Sequence, residues 1–129
     1  MTQLSKVKQF HETYGANIND VPTLPNQTER DLRIKLLQEE FNEYLEGERN
    51  NDLVEIADAL GDMLYIIYGT CVSYGLPINE VFNEIHASNM SKLDEDGKPI
   101  YREDGKVLKG PNYFKPNIEK ILNSVGVIK

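Results

Sequence analysis

Tryptophan is absent from this 129-residue chain, cysteine occurs once and histidine only twice. The lone Cys71 excludes a disulfide framework and a thiolate metal site. In its apolar surroundings it reads as a small core residue rather than a nucleophile. Two histidines, His11 and His86, are too few for an imidazole-built centre. Glu84-Ile85-His86 also lacks the Glu-x-x-His spacing of a di-iron carboxylate bundle, so His86 reads as partly buried or outer-shell. Any basic run is missing too: 14 Lys and Arg stand against 21 Asp and Glu, a net charge of −7. Without a stripe of cations to follow a phosphate backbone, polymeric nucleic acid is not the expected partner. Met1 to Phe10 lacks the apolar core of a signal peptide. The longest apolar stretch, Leu53 to Leu76, is interrupted by Glu55, Asp58 and Asp62, and reads as a buried helix rather than a membrane span. The expected setting is the cytoplasm, with no membrane partner.

What is present is helical patterning. The chain reads as one all-α domain, 1–129, with four main helices around a core at about 29–92, then a short hairpin, a loop and a terminal helix. Leu4, Val7 and Phe10 recur at helical spacing over Leu4 to Tyr14, and Gly15 ends that helix. Pro22 and Pro25 make 17–27 an extended connector. Thr28 is the expected N-cap of a helix over Glu29 to Glu46, with Asp31 as its capping-box partner. Gly47 to Asn51 is a polar turn, and Asn51 is the expected cap of a third helix running to Ser73. That helix stops at Tyr74-Gly75-Leu76-Pro77. A fourth helix is expected over Asn79 to Ser91, with Val81, Phe82, Ile85 and Met90 facing inward. Glu95-Asp96-Gly97-Lys98 recurs as Glu103-Asp104-Gly105-Lys106, and Pro99 to Arg102 and Lys106 to Leu108 flank the second copy as a hairpin. Asn117 to Ser124 reads as the last helix.

The chemistry-bearing residues are carboxylates on consecutive helices: Glu39, Glu40 and Glu43 on the second, Glu55 and Asp58 on the third. Residues three apart lie about 60° apart around a helix axis, so each pair shares a face. From Leu53 to Val72 the only other charge is Asp62, and no Lys or Arg occurs between Arg49 and Lys92. Buried carboxylates with no local countercharge are costly unless paired or bound to metal. Oxygen-only ligands favour a hard cation, Mg²⁺ with Mn²⁺ as a substitute. Asp62, four residues after Asp58, reads as an outer-shell acceptor or as the partner of a basic residue from another helix. Downstream, Ser88-Asn89-Met90-Ser91-Lys92 is either a polar helix terminus or a place where Asn89 and Lys92 contact phosphate or base.

Glu40-Phe41-Asn42-Glu43 followed by Glu55-Ile56-Ala57-Asp58 resembles the Glu-x-x-Glu and Glu-x-x-Asp motifs of the MazG-like all-α nucleoside triphosphate pyrophosphohydrolases. Ala57-Asp58-Ala59-Leu60-Gly61-Asp62-Met63-Leu64-Tyr65 and the Asn89-to-Lys92 run resemble the phosphoribosyl-ATP pyrophosphohydrolase-like branch. Only eleven residues separate Glu43 from Glu55, which implies a tight hairpin and leaves Glu39 and Glu40 as alternatives for the first ligand. The resemblance implies hydrolysis of the α,β-phosphoanhydride of a nucleotide to the monophosphate and pyrophosphate, as house-cleaning of the nucleotide pool. It implies Glu40, Glu43, Glu55 and Asp58 as Mg²⁺ ligands, Glu39 as base or extra ligand, and Asn89 and Lys92 as substrate-binding residues. It also implies a homodimer or homotetramer, with Lys106, Lys109 and Lys115 as candidates to complete a neighbouring chain's site. The contrasting reading is a non-catalytic helical module that binds nucleotide as a regulator.

Overall fold

In the computed structural model, which describes residues 1–126, an all-α chain carries five helices and one two-stranded sheet. The helices are α1 (Gln3–Tyr14), α2 (Gln27–Arg49), α3 (Leu53–Tyr74), α4 (Ile78–Met90) and α5 (Ile118–Val125); the strands are β1 (Ile100–Tyr101) and β2 (Val107–Leu108). Contacts divide the described residues into two compact units, Met1–Leu76 with Gly126, and Pro77–Val125. The division falls at Pro77, inside the stretch read from sequence as the core.

In the first unit α2 and α3 form the expected antiparallel hairpin and α1 packs on α3. The caps differ from the sequence reading. Asn26, not Thr28, caps α2: its side chain accepts from the Glu29 N–H at 2.9 Å, while Asp31 accepts from Gln27 Nε2. Asn26 follows Pro25 in extended backbone, the conformation an N-cap needs, and Thr28 is absorbed into the first turn. Nor does Gly47 break α2. It is buried, and a Cβ there would lie 3.0 Å from Ile56 Cγ1, so the glycine allows the two helices to approach closely. At the turn Asn51 takes a left-handed backbone, φ 52°, which asparagine tolerates, and Asp52 becomes the cap of α3 in place of Asn51.

The connector 16–26 is bonded to the end of α3. Asn19 N–H donates to Val72 O, Thr23 N–H to Tyr74 O, and the Asn17 and Asn19 amides to buried Ser73. Gly75 sits at φ 69° against the Val21 carbonyl, where a Cβ would overlap it. Arg33 crosses from α2 to donate to Thr70 Oγ1 at 3.1 Å and Ile66 O at 3.0 Å, in space left open by Gly69. Buried His11 lies beside it, its Nδ1 2.7 Å from Asn17 O.

Within one chain helix α3 is covered over only part of its circumference. Ala59, Gly69, Cys71, Val72 and Ser73 are buried, whereas Leu53 and Val54 are 77% and 81% exposed and Leu60, Leu64 and Tyr65 are exposed as well. Two neighbouring helices cover one side of a helix, and the other side stays open. No helix among the described residues is long and apolar enough to cross a membrane.

In the second unit α4 packs with α5, and β1 pairs antiparallel with β2, Tyr101 opposite Val107. The inner stripe of α4 is not the expected apolar one. Phe82, Ile85, Met90 and His86 are exposed, and the tail instead bonds to Glu84, Ser88 and Ser91. Asn117 N–H donates to Glu84, Ser88 Oγ to Phe114 O, and Phe114 N–H to Ser91 Oγ. Hydrogen bonding by the tail, rather than apolar burial, selects that face.

Gly75→Ala is expected to destabilise the protein by roughly 1–3 kcal/mol, since it combines left-handed strain with the Val21 clash. A denaturant-unfolding midpoint equal to that of the parent would contradict this.

Candidate metal centre

Antiparallel helices joined by a short turn bring together residues equidistant from that turn. Gly47 touches Glu55 and Ile56, its would-be Cβ lying 3.1 Å from Glu55 Cγ. Moving away from the turn on both helices, Glu43 comes level with Ala59, and Glu40 with Asp62. The acids follow this register: one oxygen from each of Glu40, Glu43 and Asp62 lies within 4.8 Å of the others. Asp58 borders the group, its charge acting on both Glu40 and Asp62. Glu55 stays nearer the turn beside Gly47, and Glu39 is an exposed neighbour outside the group. Thus Asp62, read from sequence as outer-shell, lies among the grouped acids. The signal for this was the eleven-residue gap between motifs, once counted outward from the turn.

Among the described residues no Lys, Arg or His forms an ion pair with the group. The ion pairs among the described residues are Lys8–Asp20, Arg49–Glu46 and Arg102–Asp104. Glu40 Oε2 is buried and has no hydrogen-bond partner. A hydrogen bond with Glu43, available when one carboxyl is protonated, is the main cause that pushes the Glu40 pKa up to about 7. Desolvation and the charges of Glu43, Asp62 and Asp58 act in the same direction. Asp62 is raised as well, by burial first and then by Asp58 and Glu43. Three carboxyls at this spacing are stabilised either by protons or by a cation. An unpartnered oxygen in an oxygen-only donor set fits a hard divalent ion such as Mg²⁺ or Mn²⁺.

Asn89 and Lys92 belong to the second unit, where both line a cavity that the hairpin helps to close. Cys71 is buried, and desolvation pushes its thiol up to about 11, as suits an inert core residue.

The profile of the phosphoribosyl-ATP pyrophosphohydrolase family matches residues 7–89, nearly two thirds of the chain and all of the grouped acids. The chain belongs to the phosphoribosyl-ATP pyrophosphohydrolase family. Its similarity to a crystal structure of a proposed NTP pyrophosphohydrolase from Exiguobacterium sp. 255-15 covers 97% of this chain and 94% of that one, at 28% identity and a TM-score of 0.51. The uncharacterized protein L479 of Acanthamoeba polyphaga mimivirus is 28% identical over 98% of this chain. The chain spans about half the length of that curated relative, 49%. The matched residues 7–89 take in the acid motifs of α2 and α3 and reach Asn89 of the downstream run on which the sequence resemblance also rests.

The sign of the Glu40 shift fixes a pH dependence. Its folded value, about 7, lies above its ordinary 4.5, so its contribution is fully present below 4.5 and lost as pH rises through 7. Metal-free protein is therefore expected to melt at progressively lower temperature from pH 5 to pH 8. Glu40→Gln, uncharged throughout, should flatten that slope, whereas an unchanged slope in the variant would contradict the assignment.

Proposed function

We propose that the protein is a divalent-cation-dependent nucleotide pyrophosphohydrolase that cleaves the α,β-phosphoanhydride of a nucleoside triphosphate to the monophosphate and pyrophosphate. The observation that carries this reading is the grouping of Glu40, Glu43 and Asp62 around an unpartnered buried oxygen, with no cation paired to it among the described residues. Family membership and likeness to the Exiguobacterium structure support the same reaction class.

In this reading Glu40, Glu43 and Asp62 hold Mg²⁺, and Asp58 at their border supplies a further oxygen. When bound, the cation neutralises charge on the phosphates and lowers the pKa of a water. Glu39, exposed next to Glu40 on α2, accepts the proton of the attacking water. Asn89 and Lys92 bind the nucleotide, the ammonium taking phosphate. The open apolar side of α3, with Leu53, Val54 and Leu64, is covered by another copy of the chain in a homodimer or homotetramer. The cellular role in this reading is removal of unwanted nucleotides from the cytoplasmic pool.

Pyrophosphate release from a panel of canonical, deoxy and modified triphosphates, with phosphoribosyl-ATP included, tests the proposal. Activity should require Mg²⁺ and vanish with EDTA. Glu40→Gln, Glu43→Gln and Asp62→Asn should each lower kcat/KM by on the order of 10²-fold or more, and Glu55→Gln by less than about tenfold. Glu39→Gln should lower kcat by about 10²-fold while Mg²⁺ still raises the melting temperature. Nucleotide binding with no pyrophosphate over the whole panel would overturn the assignment in favour of a regulatory module.

A further inference from the structure

The contact of Gly47 with Ile56 lies at one end of the acid group, and a second close approach of α2 and α3 lies at the other. Arg33 on α2 enters the space over Gly69 on α3, where a Cβ would overlap its guanidinium. Its Nε donates to Thr70 Oγ1 at 3.1 Å and its Nη2 to Ile66 O at 3.0 Å, and Thr70 Oγ1 donates to the same carbonyl at 3.0 Å. His11 of α1 closes the space, since that Cβ would lie 3.2 Å from its Nε2. The two approaches share a plan. At each, a glycine on one helix admits a side chain of the other, Gly47 taking Ile56 and Gly69 taking Arg33.

Their spacing brackets the acids. On α2, Arg33, Glu40 and Gly47 follow one another at intervals of seven, and on α3 Glu55, Asp62 and Gly69 do the same. Seven residues complete two turns to within about 20° and rise about 10 Å, so each acid shares a face with both of its flanking residues and stands midway between them. Glu40 and Asp62 are thus equidistant from the two contacts, and both belong to the grouped carboxyls. A contact at the turn fixes one point of a hairpin whose helices run to 23 and 22 residues. A second contact, two turns beyond the acids, fixes register over the whole interval.

A guanidinium is a costly way to fill this space. Burial works against its charge and lowers its pKa, with the Glu29 carboxylate acting the other way. Among the described residues Arg33 forms no ion pair, although the acid group on the same two helices has no cation paired to it. An apolar side chain of like volume would pack at lower cost. It would lack direction: a hydrocarbon tolerates a slide along α3, whereas a planar fork bonded at two heights does not. Setting register is the best-attested use of a buried polar group. Register in turn controls which ion fits, because Mg²⁺ and ions like it demand near-ideal geometry at short range, while Ca²⁺ accepts looser and larger cages.

We infer that Arg33, seated over Gly69, is a positioning residue for the acid group: it holds Glu40 opposite Asp62 and, by keeping their separation fixed, selects a small divalent cation over a larger one. That the group takes a cation rests on the pyrophosphohydrolase reading. Calorimetric titration of the full-length protein with Mn²⁺ and with Ca²⁺ tests it on the parent, Arg33→Met, Gly69→Ala and Gly75→Ala, each shown to be folded by a cooperative melt in EDTA. Arg33→Met keeps the bulk and removes the fork, and Gly69→Ala keeps the arginine while displacing the movable end of its side chain. Both should bind Mn²⁺ about tenfold or more weakly, with Ca²⁺ affinity lowered less, so that the preference for Mn²⁺ narrows. Gly75→Ala, destabilised at the connector instead, should bind both ions as the parent does. Crystals of Arg33→Met grown in EDTA supply the geometry without metal, and at least one of the Glu40, Glu43 and Asp62 carboxyls should lie outside the 4.8 Å grouping. Parental Mn²⁺ affinity in both Arg33→Met and Gly69→Ala, an equal loss in Gly75→Ala, or an undisturbed grouping in those crystals would overturn the positioning role. Equal losses for the two ions would overturn the selection by size. A parent that binds no Mn²⁺, with the grouping lost in Arg33→Met, would support the positioning role and overturn the proposed reaction.

Discussion

The contact of Gly47 with Ile56 sets the register between α2 and α3, and the candidate site depends on that register. The absence of a side chain at 47 lets the helices close, and the three-residue turn Asn50 to Asp52 fixes which residues then face one another. Every acid further along inherits its partner from that start. Were the hairpin to slip by one helical turn, Glu40 would face Asp58 or Ile66 instead of Asp62. The surroundings hold the arrangement in place: Arg33 is anchored on Ile66 and Thr70, and the connector is bonded to the end of α3.

Crowding carboxylates in this way costs free energy, and no ion pair among the described residues offsets it. A hydrogen bond with Glu43, then burial and repulsion, raises Glu40, burial and repulsion raise Asp62, and among the described residues no lysine or arginine forms an ion pair with either. The usual resolution of such strain is to bind what is missing, in the proposed reading a divalent cation. In that reading stability and function are opposed at the same residues, as is common where a site is built before its ligand arrives.

Much of the fold was legible in the sequence because helical periodicity and glycine stops are local signals. All five helices were expected close to where they lie, as was the hairpin around Asp104-Gly105. The caps were misassigned by one or two residues where two polar side chains competed, Asn26 against Thr28 and Asp52 against Asn51. The covered stripe of α4 was missed because its partner, the 110–117 tail, bonds to polar groups and leaves no hydrophobic pattern to read. At the acid group, motif spacing identified Glu40 and Glu43 but said nothing of how far the opposite helix slides. Asp62 entered the group through tertiary register, which the eleven-residue gap encodes only when the turn is known to be three residues long. The exposed side of α3 shows the same limit: an apolar sequence states that a surface is to be covered, without stating by which chain.

Anomalous diffraction from crystals grown with Mn²⁺ tests the central assignment most directly. A manganese peak enclosed by carboxylate oxygens of Glu40, Glu43 and Asp62 is the expected result. A peak coordinated by Glu55 with Asp62 turned away, or full occupancy of the ion elsewhere and none between α2 and α3, would contradict it.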